Sequence, residues 1–139
     1  MNRSVLVIED NEQNLYLTTF LLSRHGFEVV PARDGPEGIE LARRLQPALI
    51  VLDIQLPQLD GYAVARELKR DPVVCQIPIV AVTSYAMVGD RERILKAGCS
   101  GYIEKPINPD SFVADLCRYL PKQGIEREPT YVKDSDRGR

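Results

Sequence analysis

Five short apolar runs recur along the first 120 residues, and each is followed by a longer segment that mixes apolar and polar positions. The runs are residues 5–8, 28–32, 49–52, 79–82 and 101–103. Several are rich in Val and Ile and continuously apolar, which is typical of strands buried on both faces of a parallel sheet. Because each gap between runs can hold one helix, the pattern favours an α/β fold with a doubly wound, five-stranded parallel sheet.

The segments between the runs show helical spacing of apolar residues. In the first segment Leu17, Phe20 and Leu21 fall on one face, which we expect to pack on the sheet. Pro36 and Pro109 each stand where a helix is expected to begin, because proline is favoured at the first helical position. These signals predict one helix after each strand, with helices on both faces of the sheet.

The length of 139 residues is typical of one compact domain. We predict that the domain spans residues 1–120, because the apolar periodicity stops after Leu120. Residues 121–139 mix charges, glycine and proline with few large apolar side chains, so we expect a charged, flexible tail.

Composition and charge narrow the range of partners. A formal net charge of -2 at pH 7 does not suggest a general nucleic-acid binder. The apolar run at residues 5–8 is followed by acidic residues, too early for a signal peptide or a membrane span. We therefore expect a cytoplasmic protein that binds neither nucleic acid nor membrane.

Charged or hydroxyl-bearing residues follow four of the five predicted strands. In an open α/β sheet, ligands bind beyond the carboxyl ends of the strands. The residues at those ends are Glu9, Asp10, Asp53, Thr83 and Lys105. Three carboxylates beside a lysine and a hydroxyl predict a site for a phosphoryl group and a divalent cation.

Electrostatics explains why a cation is expected. Two carboxylates 4 Å apart repel each other by about 1 to 4 kcal/mol, depending on the local dielectric constant. Mg²⁺ prefers oxygen ligands and is commonly held by one or two carboxylates together with phosphate oxygens. Taken singly, Glu9 or Asp10 is equally consistent with an acid that faces the positive end of the first helix. Thr83 alone is also consistent with an ordinary strand residue, and Lys105 alone with a solvated lysine.

Together these residues resemble the receiver domains of two-component response regulators, over residues 5–120. The matching segments are Val5-Leu-Val-Ile-Glu9-Asp10-Asn, Leu52-Asp53-Ile-Gln-Leu-Pro57, Asp60-Gly61, Val82-Thr83 and Lys105-Pro106. The resemblance implies a flavodoxin-like sheet with strand order 2-1-3-4-5. Within the family, residues 53–57, 87–93 and 98–99 are most similar to the single-domain DivK-type regulators of cell division and polarity.

The resemblance implies that Asp53 accepts a phosphoryl group from a sensor histidine kinase or a histidine phosphotransfer protein. An aspartyl phosphate is a recognised covalent product of carboxylate attack. By the same resemblance, Asp10 and Asp53 bind Mg²⁺ directly, Glu9 binds it through water, and the Gln55 backbone carbonyl is a further ligand. The domain is then regulatory rather than an enzyme, and its only reactions are its own phosphorylation and autodephosphorylation.

The family also implies a switch. Lys105 and Thr83 are expected to contact the phosphoryl oxygens, and Pro106 is the candidate for a cis-proline. Movement of Thr83 toward the phosphoryl group would vacate space that Tyr102 enters. The output surface is expected over residues 87–119, on the fourth helix, fifth strand and fifth helix. It would bind a downstream effector protein, either as a monomer or as a phosphorylation-dependent dimer.

Two rival chemistries fit less well. A phosphatase of the haloacid dehalogenase kind needs a second acid two residues after its nucleophile, where this chain has Gln55. A flavin phosphate would be repelled by the acidic segment at residues 9–12. The alternative that stays open is a receiver-fold interaction module that works without phosphorylation. For a phosphorylated receiver, we expect slow self-dephosphorylation, because the phenol of Tyr85 can hinder the attacking water.

Overall fold

The apolar runs form the strands of a parallel sheet in a computed structural model, in which residues 2–56, 59–84 and 87–121 are described. The strands are β1 Ser4–Ile8, β2 Glu28–Ala32, β3 Leu49–Asp53, β4 Ile79–Thr83 and β5 Gly101–Glu104. The helices are α1 Glu12–Arg24, α2 Gly35–Leu45, α3 Gly61–Arg70, α4 Val88–Lys96 and α5 Phe112–Cys117. Strand and helix alternate along the described residues, as predicted.

The sheet has the order β2-β1-β3-β4-β5, and each neighbouring pair is parallel. The predicted flavodoxin-like fold and strand order are therefore confirmed. β2 lies at an edge and contains Pro31, which is tolerated there because an edge strand has a backbone side without a strand partner.

Alternate strand residues face two separate hydrophobic cores. Leu6 and Ile50 point to a core that includes side chains of α2, α3 and α4. Val5 and Val51, their neighbours along the strands, point to a core that includes side chains of α1 and α5. The predicted placement of helices on both faces is thus observed, and it explains why the central strands are continuously apolar between their polar end residues.

Phe20 of α1 was predicted to pack on the sheet, and this prediction is wrong. The buried stripe of this helix contains Leu15, Thr18 and Leu22, and Phe20 falls outside it, with 45% of its surface exposed. Its ring stacks on that of Tyr16, with the centroids 6.3 Å apart and the planes at 15°. The first helix therefore presents two aromatic rings to solvent, which apolar spacing alone did not reveal.

The predicted start of α5 at Pro109 is also wrong. The helix begins three residues later, at Phe112. Asn108 forms a separate turn first: its side chain accepts a hydrogen bond from the Asp110 N–H, and its carbonyl accepts from the Ser111 and Phe112 N–H groups. Pro109 thus lies in a capped turn before the helix, whereas α2 does have a proline in its first turn, as predicted.

Two sequence predictions concern residues outside the described part of the chain. These are the tail, from residue 122 onward, and the role of Tyr85. Among the described residues, no helix combines the length and the apolar character needed to cross a membrane.

The Asp60-Gly61 pair fixes the junction between β3 and α3. The Asp60 side chain caps α3 by accepting a hydrogen bond of 2.9 Å from the Ala63 N–H. The Gly61 N–H donates to the Ile54 carbonyl, and a Cβ at Gly61 would lie 2.7 Å from the Asp53 carbonyl oxygen. Only a residue without a side chain permits this approach, so the glycine holds the helix directly against the end of β3.

We predict that Gly61→Ala lowers the free energy of unfolding by about 1 to 3 kcal/mol, because backbone atoms must move to admit the methyl group. The matched control is Gly89→Ala near the start of α4, where a Cβ would meet nothing within 4 Å. The control should leave stability unchanged or raise it by up to about 1 kcal/mol. Urea unfolding of the three proteins measures both effects, and equal midpoints for wild type and Gly61→Ala would contradict the prediction.

Candidate functional site

The carboxyl ends of the strands bring the predicted site residues to one edge of the sheet. Glu9 follows β1, Asp53 ends β3 and Thr83 ends β4. Lys105 follows β5, where its N–H donates to the Thr83 carbonyl over 2.8 Å and continues the ladder between the two strands. Because all five strands are parallel, residues far apart in the chain meet at this edge.

An acidic cluster forms at the centre of this edge. Glu9, Asp10 and Asp53 each place a carboxylate oxygen within 4.8 Å of the other two. Glu9 is 5% exposed and Asp53 is 3% exposed, whereas Asp10 lies at the surface. The Asn11 N–H donates to Glu9 Oε2 over 3.1 Å, so the first turn before α1 holds the Glu9 side chain in place.

Lys105 supplies positive charge to the cluster. Its Nζ lies 3.3 Å from Asp53 Oδ1 and 3.7 Å from Glu9 Oε1. The Lys105–Pro106 peptide bond is cis, the isomer that the resemblance implied. One ammonium group facing three carboxylates leaves the pocket with an excess of negative charge.

Glu9 holds a proton more tightly in this pocket than an ordinary glutamate does. The pKa of Glu9 is raised from 4.5 to about 7, with burial as the largest cause and the negative charge of Asp53 and a hydrogen bond with Asp53 acting in the same direction. The hydrogen bond from Asn11 and the charge of Lys105 act in the opposite direction but are smaller. Within the described residues of the cluster, the positive charge of Lys105 therefore does not fully balance the negative charge of the acids.

The cluster has the donor set that a hard divalent cation needs. Carboxylate oxygens are the preferred protein ligands of Mg²⁺, and the three acids approach one common point. A divalent cation would also neutralise the charge that raises the Glu9 pKa. The residues present thus fit Mg²⁺ in both ligand chemistry and charge.

Gln55 makes contacts that the sequence analysis missed. Its backbone N–H donates to Asp53 Oδ1 over 3.0 Å, and its side-chain Nε2 donates to Thr83 Oγ1 over 3.0 Å. Its Oε1 accepts a longer hydrogen bond of 3.4 Å from the Ser84 N–H. Sequence reasoning predicted no contact between this side chain and Thr83, because nothing in the sequence signals a side-chain contact across 28 positions.

Tyr102 lies apart from the acidic cluster. It pairs with Ala81 in the register of β4 and β5, whereas Thr83 pairs with Glu104. Because strand side chains alternate between faces, Tyr102 and Thr83 point to the same face of the sheet, where Tyr102 packs half-buried against the core that contains α4. Tyr102 and Pro106 also line a groove of about 310 Å³ between β5 and α5.

Comparison with known proteins gives consistent matches. The family model of the response regulator receiver domain matches residues 5–116. The polar-differentiation response regulators DivK of Brucella ovis and Brucella anthropi are each 44% identical over 120 residues, covering 86% of this chain and 98% of theirs.

Solved structures match over similar lengths. The receiver domain of a Pseudomonas aeruginosa sensor histidine kinase, described with a magnesium ion coordinated in its active site cleft, is 33% identical with a TM-score of 0.78, covering 86% of this chain and 98% of that one. Vibrio cholerae chemotaxis protein CheY4 has a TM-score of 0.82 over 86% of this chain and 100% of its own, and at 23% identity it supports the fold alone.

The raised pKa of Glu9 predicts how stability depends on pH in metal-free protein. Between pH 4.5 and 7, folded Glu9 keeps a proton that unfolded Glu9 has lost, so stability from this group is greatest at low pH and falls as pH rises through about 7. In EDTA, wild-type protein should therefore lose on the order of 1 to 3 kcal/mol of stability between pH 5 and pH 8, and Glu9→Gln should not show this loss.

Urea unfolding at the two pH values measures this loss. The control is Glu67→Gln on the exposed side of α3, which should keep the pH dependence of wild type. A Glu9→Gln protein that loses as much stability as wild type over this range would contradict the prediction.

Proposed function

The chain belongs to the response regulator receiver family of two-component systems, and we propose that Asp53 is the residue that accepts the phosphoryl group. The donor is a phosphohistidine on a sensor histidine kinase or a histidine phosphotransfer protein. The observation that carries this proposal is the position of Asp53, which is buried beside Glu9 and Asp10 with its Oδ1 3.3 Å from Lys105 Nζ.

The proposed reaction is a direct transfer. A carboxylate oxygen of Asp53 attacks phosphorus, the new O–P bond forms as the N–P bond of the phosphohistidine breaks, and the released imidazole takes up a proton from solvent. Lys105 is placed to compensate negative charge on the phosphoryl oxygens during transfer. Thr83 is a second group at the same edge whose hydroxyl can donate to the phosphoryl product.

Mg²⁺ is the proposed cofactor of this site. Asp10 and Asp53 would bind it directly and Glu9 through water, with the Gln55 backbone carbonyl as a further ligand. When bound, it supplies positive charge that draws phosphate oxygens to the acidic pocket. The acidic cluster supports this assignment, and so does the magnesium ion of the Pseudomonas aeruginosa receiver domain.

The protein is a regulatory domain, as its family is, and we propose that its only reactions are its own phosphorylation and dephosphorylation. We place it in the cytoplasm, because ATP supplies the phosphoryl group of histidine kinases there. We propose that it signals through protein partners, as receiver domains do, and not through nucleic acid or membrane.

The proposed output surface is the one formed by α4, β5 and α5. Met87, Val88 and Leu95 expose large apolar side chains on or next to α4, with exposed fractions of 76%, 70% and 54%. The groove lined by Tyr102 adjoins this surface. Thr83 and Tyr102, which face the same side of the sheet, would link phosphorylation to this surface and so to a downstream effector protein.

We predict that wild-type protein incubated with acetyl phosphate and Mg²⁺ gains the mass of one phosphoryl group and that Asp53→Asn gains none. Lys105→Met should lower the rate of phosphorylation by about 100-fold, because it removes a charge that compensates the transferred group. Intact mass spectrometry over time measures both effects.

Two controls accompany this experiment. EDTA should abolish the mass gain, and Lys96→Met, which changes an exposed lysine on α4, should react as wild type does. The absence of any mass gain in wild type would favour the interaction module that works without phosphorylation, and a mass gain in Asp53→Asn would move the acceptor to another residue.

For the switch, we predict that Tyr102→Ala still takes up the phosphoryl group but transmits it poorly to α4. NMR signals of the methyl groups of Met87, Val88 and Leu95 should shift several-fold less on phosphorylation than in wild type. Tyr16→Ala, an exposed tyrosine on α1, is the control and should leave these shifts unchanged. Full-sized shifts in Tyr102→Ala would remove Tyr102 from the mechanism.

A further inference from the structure

Gln55 connects the proposed phospho-acceptor to the proposed switch residue through two different groups of the same amino acid. Its backbone N–H holds the Asp53 carboxylate, and its side-chain amide holds the Thr83 hydroxyl. These contacts join the segment after β3 to the end of β4, which are neighbouring strands of the sheet. The residue therefore lies between the group that changes chemically and the group that must move in response.

The Gln55 amide is fixed at both ends. Nε2 donates to Thr83 Oγ1 over 3.0 Å, while Oε1 accepts from the backbone N–H of Ser84 over 3.4 Å. The side chain of Gln55 thus spans from its own strand exit to that of β4. Because one contact is with backbone, the amide cannot follow a rotating Thr83 side chain without giving up the Ser84 hydrogen bond.

Thr83 is 1% exposed, so water has little access to its hydroxyl, whereas the side chain of Gln55 is exposed. Moving this hydroxyl toward a phosphoryl group on Asp53 therefore breaks or distorts the bond from Gln55 at a real energetic cost. A bond present in the resting protein and lost in the switched protein lowers the population of the switched form before phosphorylation.

We propose that the side-chain amide of Gln55 is a restraint that holds Thr83 in its unphosphorylated position and thereby limits the fraction of molecules in the switched conformation. The inference rests on the proposed phosphorylation of Asp53 and adds the residue that opposes the switch. Gln55 is in this respect a positioning residue, because its side chain acts on the phosphoryl site through Thr83.

The test is a titration of the full chain with beryllofluoride, an inorganic mimic of the phosphoryl group, at saturating Mg²⁺. The variant is Gln55→Met, which keeps the length of the side chain and the backbone N–H and carbonyl but removes the amide. If the amide is a restraint, the apparent affinity for beryllofluoride should rise by about two- to tenfold, as expected for one hydrogen bond. The NMR signal of the Thr83 methyl group should also move toward its position in the saturated wild type.

The same substitution in a Thr83→Val protein isolates the contact between Gln55 and Thr83. In Thr83→Val the hydroxyl is absent, so adding Gln55→Met should change the beryllofluoride affinity little. The same cycle measured by urea unfolding in EDTA should show that Gln55→Met lowers stability when Thr83 is present and not in the Thr83→Val background. Gln13→Met, which changes an exposed glutamine on α1, controls for the swap of side-chain type.

The outcomes separate the restraint by Gln55 from the phosphorylation of Asp53. Unchanged or weaker beryllofluoride binding by Gln55→Met, together with normal binding by wild type, overturns the restraint and leaves the phosphorylation of Asp53 intact. An equal gain of affinity in the Thr83→Val background also overturns it, since the amide would then act elsewhere. Wild-type protein that binds no beryllofluoride overturns both.

Discussion

The charge balance of one partly closed pocket is the constraint on which the rest of the structure depends. Two buried carboxylates, the exposed carboxylate of Asp10 and one ammonium group meet here, and burial together with the negative charge of Asp53 raises the pKa of Glu9 to about 7. Repulsion among the carboxylates destabilises this pocket, and a bound cation or hydrogen-bond donor relieves the repulsion. This cost makes the site responsive to a change in bound charge.

The fold supports this pocket with central strands whose inner residues are all apolar. Each central strand is buried along its length and changes to charged or hydroxyl residues at its carboxyl end. Two cores hold the sheet from both faces, and the close contact of Gly61 with the end of β3 holds α3 there. The site residues thus stand on rigid backbone, which limits how far they can move apart to relieve their repulsion.

The contacts of Gln55 suggest how a local charge event reaches a distant surface. The Asp53 carboxylate and the Thr83 hydroxyl share this one partner, so neither can change its surroundings without affecting the other. Beyond Thr83, Tyr102 packs on the same face of the sheet, next to α4. Gln55, Thr83 and Tyr102 therefore stand between the acidic pocket and the core on which α4 packs.

The sequence by itself determined the elements, their order and the residues that gather at the strand ends, because a parallel sheet fixes which end of every strand lies at the ligand-binding edge. Glu9, Asp53, Thr83 and Lys105 could be found this way since each lies within two residues of the end of an apolar run. Tertiary structure alone decided the exposure of Phe20, the turn at Pro109 and the bond from Gln55 to Thr83. Helix rotation and the direction of the Gln55 side chain arise from packing between segments distant in the chain, and the turn at Pro109 arises from capping by Asn108. None of these features leaves a periodic pattern along the sequence.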